Sequence, residues 1–130
     1  MTWQVSELFW RRLFLSGAIF NWSAAAVLAI WHRELGRLLG LAPAAEPAMY
    51  LHLFALAVAV FGWAYFMVSQ DLNQVALVRL GAFTKLGVTA IVCAFWWAGT
   101  ASWHLPALTA VDLSYAAFFF AFLRRAETSV

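Results

Sequence analysis

Three polar side chains stand in the middle of long apolar runs: Asn21, Lys85 and Asp112. A buried amine and a buried carboxylate can serve a ligand in two ways. They can anchor it by charge and hydrogen bonds, or they can exchange a proton as acid and base once burial moves their titration. Either use needs the two groups at one depth on facing helices. At about 1.5 Å per helical residue, Asn21 lies about 20 Å from the start of its run near Leu8, and Lys85 about 16 Å from the start of its run near Gln74. Asp112 lies about 10 Å into a run that descends from Leu105, which leaves about 20 Å to the far end. The three are expected in one layer, with Lys85 paired to Asp112, because either charge left alone there is costly.

Local spacing agrees. Gly17, Asn21 and Ala25 recur every four residues, a narrow face that can pack closely. Thr109, Asp112 and Tyr115 share a helix face, and Thr89 lies one turn from Lys85. Asn21, Lys85, Asp112 and Tyr115 are therefore the candidate polar core. The plain alternative is an ion pair that only fixes helix register.

Two further groups of side chains could do chemistry. Arg79, level with Arg12, has Asp71 and Glu7 as prospective partners, and Arg79 with Asp71 is the secondary candidate site. Snorkelling of the arginines to lipid headgroups is the ordinary alternative. His32, His52 and His104 all fall on the opposite side, beside Trp31, Tyr50 and Trp103. Three imidazoles can hold a metal ion and two facing ones a haem. No pair has tight ligand spacing, so the expectation is interfacial histidines, with no metal and no cofactor. There is no HExxH, no cysteine pair, no phosphate-binding glycine loop and no nucleophile elbow. Cys93 is the only cysteine.

The elements that must position these residues follow from composition. Hydrophobic residues make up 65% of the 130 and charged residues 11%, against about 25% charged in a soluble domain. Too few polar residues remain to cover a water-facing surface. The net charge of +2 is scattered, with no basic run of the kind that tracks nucleic acid. A bilayer core needs about 20 apolar residues per helix. Four runs qualify: Leu8 to Trp31, Ala48 to Ser69, Gln74 to Gly99 and Leu105 to Leu123. The expectation is an all-α, integral membrane four-helix bundle, one transmembrane domain over 1–130, with both termini on the same side. Ala55 and Ala59, and Ala90, Ala94 and Ala98, suggest close helix contacts.

The connections support these limits. Pro43 and Pro47 break the chain between the first two runs, Asp71 and Asn73 can cap the third, and Pro106 suits the first turn of the fourth. His32 to Leu41 mixes charge with leucine, as a short interfacial helix does. Trp10 to Leu15 resembles a twin-arginine export signal. The apolar run behind it is long enough to span, Asn21 and Trp22 interrupt it, and no small-x-small cleavage site ends it, so a retained span is expected. Arg11, Arg12, Arg124 and Arg125, with Arg79 near them, favour cytoplasmic termini over the side that bears Arg33 and Arg37.

The stretches Phe20-Asn21, Gly62-Trp63-Ala64-Tyr65, Asp71 with Asn73, Val78 to Lys85, and Ala110 to Tyr115 before Arg124-Arg125 resemble a group of small bacterial inner-membrane proteins. More distantly they are similar to the DoxX-like four-helix membrane proteins. The resemblance is best from Tyr50 to Arg125 and rests on short motifs. It implies a four-helix bundle in a bacterial inner membrane and brings no activity with it. Some DoxX-like proteins are small subunits linked to quinone oxidation, but no redox residue here carries that role across.

Three functions compete. The first is a binding or accessory membrane protein that holds a hydrophobic molecule, lipid or partner helix, with Asn21, Lys85 and Asp112 as anchors. It expects an opening that reaches Lys85, and a dry, packed surround would count against a ligand there. The second is a membrane enzyme, isomerase-like, acting on a lipid or sterol-like substrate. The third is proton or ion transport by an oligomer, for which no inverted repeat or broken helix is visible. The partners implied are membrane lipids, a hydrophobic small molecule, and a homo-oligomer or larger membrane complex, with no nucleic acid.

Overall fold

The computed structural model of the protein describes residues 2–38 and 49–128. Over these the chain is helical: α1 is Thr2–Ile30, α2 His32–Leu38, α3 Met49–Gln70, α4 Val75–Trp97 and α5 His104–Thr128. Helices α1, α3, α4 and α5 are each long and apolar enough to cross a membrane. Pro43 and Pro47 lie outside the described residues, as do Leu39 to Leu41, so the short helix expected from His32 is seen as far as Leu38.

The long helices run up and down. Arg11 near the start of α1 meets the last carbonyls of α3, while His52 in the first turn of α3 reaches Ala29 near the end of α1. Ser6 of α1 likewise meets Arg125 in the last turn of α5. Helix α1 packs most closely on α3, and α4 on α5.

Glycine permits the closest approaches. A Cβ on Gly62 would stand 2.7 Å from the Trp22 ring, and one on Gly81 2.5 Å from the Tyr65 ring. Bare backbone at these points is what lets two large rings come close to neighbouring helices. The alanines behave differently from expectation. Ala55 is buried, as foreseen, but Ala90, Ala94 and Ala98 are exposed. Their four-residue spacing marks an outward face of α4, because Lys85 and Gly81 turn the opposite face inward.

Helices α1 and α5 are bridged by rings instead. Phe14 stacks on Phe119 with centroids 5.0 Å apart, and Trp10 and Phe14 each meet Phe122 edge-on. Phe14, Tyr65, Val68, Val78 and Phe119 are the largest fully enclosed side chains. This core fills the half of the bundle that contains Ser6 and Arg125.

The turns show how the helices end. Gly99 takes φ +76°, and Gly99 and Thr100 donate back to the carbonyls of Trp96 and Phe95, a Schellman closure of α4. At the start of α4 the expected cap by Asp71 or Asn73 does not form. Gln74 occupies the cap position without a side-chain bond. The Asp71 carboxylate accepts instead from the backbone N–H of Asn73 at 3.0 Å and from the Asn73 and Gln74 side chains. That local turn consumes the capping oxygens before the helix begins. At the other ends, α1 starts at Thr2 and α5 runs on to Thr128, beyond the apolar runs. Polar residues extend both helices, and an apolar count stops short of them.

Candidate functional site

Four helices each contribute to one polar layer. Asn21 comes from α1, with Gly17 and Ala25 buried on the same face. Lys85 comes from α4, one turn after Gly81. Asp112 comes from α5, one turn before Tyr115. Helix α3 supplies a backbone carbonyl and the Tyr65 ring.

Lys85 Nζ donates to Asp112 Oδ1 at 2.5 Å and to Asn21 Oδ1 at 3.4 Å. Asn21 Nδ2 in turn donates to the Val58 carbonyl at 3.2 Å. The amide therefore ties Lys85 by two hydrogen bonds in series to a main-chain acceptor of α3. Three rings enclose the ammonium: Tyr65, Tyr115 and Phe20 have centroids 5.4, 5.5 and 5.7 Å from Nζ. Each presents negative π density to the cation. Tyr115 is held by its hydroxyl, 2.9 Å from Ser16 Oγ, and by the Phe20 ring.

The ion pair is asymmetric. The Lys85 side chain is 5% exposed and that of Asp112 is 23% exposed. The amine is packed in: contrary to expectation, no opening among the described residues is seen to reach Lys85, which counts against a ligand at the amine itself. The carboxylate meets the outside. The ring contacts between α1 and α5 run from Phe9 with Phe118 to Phe20 with Tyr115. Asp112 comes one turn beyond that last pair, and Leu108, a turn further, is 49% exposed. The seam between α1 and α5 thus loses its aromatic filling where the carboxylate sits.

No family model, curated protein or solved structure matches the chain. The site therefore has to be read from its own chemistry. A lysine with a carboxylate, an amide and three rings around it is a fixed point charge. Its carboxylate can still accept hydrogen bonds.

Other expected members lie apart. Thr89 and Thr109 donate to carbonyls of their own helices, Lys85 and Pro106, and add nothing to the layer. Arg79 is exposed and is not brought to Asp71. Arg11 takes the role sketched for Arg79. It pairs with Glu7 at 2.8 Å and donates to the Ser69 and Gln70 carbonyls at 2.9 and 2.5 Å. Arg11, Glu7, Asp71 and Arg125 line a pocket of about 570 Å³ floored by Trp10, Leu72, Val75 and Phe122. The Asn73 backbone N–H holds the Asp71 carboxyl below its usual range, helped by the Gln74 and Asn73 side chains and by the charge of Arg11.

The histidines are divided. His32 and His52 meet edge to face with centroids 5.6 Å apart, while His104 stacks on Trp103 at 4.1 Å. Among the described residues, no three His, Cys, Asp or Glu side chains gather as metal ligands would.

Sequence reasoning missed Ser16, Phe20 and Tyr65. Tyr65 had a signal, since a tyrosine in mid-run three residues after Gly62 needs a neighbour for both ring and hydroxyl. Phe20 had none beyond adjacency to Asn21.

Proposed function

We propose that the protein is a multi-pass membrane protein that holds an apolar molecule in the seam between α1 and α5, with Asp112 as its polar contact and Lys85 as the fixed counter-charge. One observation carries this: the lysine is sealed while its carboxylate partner opens to the surface of the bundle. A pair that served register alone gains nothing from leaving one member open. In hydrocarbon an open carboxylate is costly unless something outside the chain covers it.

The four apolar helices support placement in a membrane. The resemblance set out above supports a bacterial inner membrane. The arginines at the end that gathers Ser6 and Arg125 support cytoplasmic termini. The enzyme alternative draws less from the geometry, because Lys85 is enclosed and cannot reach a substrate atom.

Photolabelling tests the binding role. A diazirine-bearing alkane added to the protein in nanodiscs should label the Phe20, Leu108 and Tyr115 neighbourhood saturably, and excess unlabelled alkane should compete. Labelling that is uniform over exposed residues such as Trp63 and Ile91, and that never saturates, would overturn it.

A further inference from the structure

Asp112 has two carboxylate oxygens and the chain uses one. Oδ1 accepts from Lys85 Nζ, and among the described residues no other donor reaches the side chain. A carboxylate has room for about four hydrogen bonds. The polar side chains of the layer and of α5 around Asp112 are partnered within the chain: Asn21 with Val58, Tyr115 with Ser16, Thr109 with Pro106 and Ser114 with Ala110. Asp112 Oδ2 is not among the side-chain atoms that are shut away without a partner, a state found among the described residues only for His32 Nδ1. It is unbonded and reachable from outside.

The electrostatics restrict what can bond it. Lys85 and Asp112 already cancel. A cationic head would stand beside the Lys85 ammonium, and an anionic one beside the carboxylate. A neutral donor keeps the balance. Leu108 and Val111, four residues and one residue before Asp112 on α5, are exposed and apolar, so the rest of the molecule must be hydrocarbon.

From this we infer that the molecule in the seam is a neutral apolar alcohol, long-chain or polycyclic, whose hydroxyl donates to Asp112 Oδ2. This rests on the binding role proposed above and names the class of ligand that fills it.

The test uses two probes that differ by one hydrogen-bond donor. The whole protein in detergent is mixed with 1-hexadecanol or with its methyl ether, and the complexes are counted by native mass spectrometry. A bond to a charged acceptor should favour the alcohol by about tenfold or more. In the Lys85→Met, Asp112→Leu double variant, which removes the acceptor without stranding a charge, the preference should vanish. Equal retention of alcohol and ether by the native protein would overturn the donor inference and leave apolar binding standing. Retention of neither would overturn both. A preference that survives in the double variant would move the acceptor away from Asp112.

Discussion

Lys85 and Asp112, twenty-seven residues apart on neighbouring helices, meet through a 2.5 Å contact between Nζ and Oδ1. Each is the other's only opposite charge among the described contacts. Removing one leaves the other inside the bundle without compensation.

Lys85→Met and Asp112→Leu should therefore each destabilise the protein, by about 3–5 kcal/mol where the stranded group is fully enclosed. Asp112→Leu should be the worse, since it leaves the sealed ammonium, whereas Lys85→Met leaves a carboxylate that is partly open. The double variant should recover most of the loss. Thermal unfolding of all four forms in one detergent checks this, and a double variant no better than the worse single would count against it.

Gly81→Ala should be poorly tolerated. Its Cβ would enter the Tyr65 ring, which is fully buried and lies over Lys85. Overpacking of this kind costs about 1–3 kcal/mol. Tyr65→Leu in the same background should restore part of the loss, and Gly87→Ala, where nothing lies within 4 Å, should be neutral. Melting temperatures of the native protein and these three variants decide it.

How far the sequence reaches is visible in these two sites. Depth could be read from helical rise, because apolar runs set where each helix starts, so Asn21, Lys85 and Asp112 fall in a common layer. Ring placement could not. Tyr65 lies over Lys85 and against the bare backbone of Gly81, while Gly62 meets Trp22 instead, and which glycine meets which ring is a property of packing. Arg79 and Asp71 look matched by charge and depth, yet Asp71 finds donors within two and three residues in its own turn. Arg11 instead finds the carbonyls at the end of α3, and carbonyls leave no mark in a sequence.

Arg11→Met should loosen the end of α3. Two carbonyl bonds and the Glu7 pair would be lost. The site is partly exposed, so the global cost should be modest, about 1 kcal/mol. Hydrogen exchange should quicken in residues 68–75 and stay unchanged around Thr89. Arg11→Lys should rescue little, because one ammonium cannot span both carbonyls and the carboxylate.

The turn from α3 to α4 should respond to acid. The folded Asp71 carboxyl titrates below its ordinary value, chiefly through the Asn73 N–H. Such a group adds stability at pH values above its ordinary titration range, and that stability is lost as pH falls through the folded value. The Asn73 amide resonance should therefore shift with a midpoint below the ordinary aspartate range. In Asp71→Ala that transition should be gone. A midpoint at or above the ordinary range would show that the turn does not favour the charged form.

Under the membrane placement proposed above, the close pairing of α4 with α5 also bears on how the chain is made. The two helices are joined by the short segment from Ala98 to Trp103, and they carry the two charges that need each other. A lone lysine or aspartate at the centre of an inserting helix costs about 2.5–3.5 kcal/mol. A hairpin that leaves the insertion machinery as one unit can close the ion pair before α1 and α3 dock. The late-synthesised half of the protein would then bring its own neutralisation, and Asn21 and the ring enclosure would be added afterwards. Lengthening the 98–103 turn should accordingly harm biogenesis more than it harms the stability of protein already assembled.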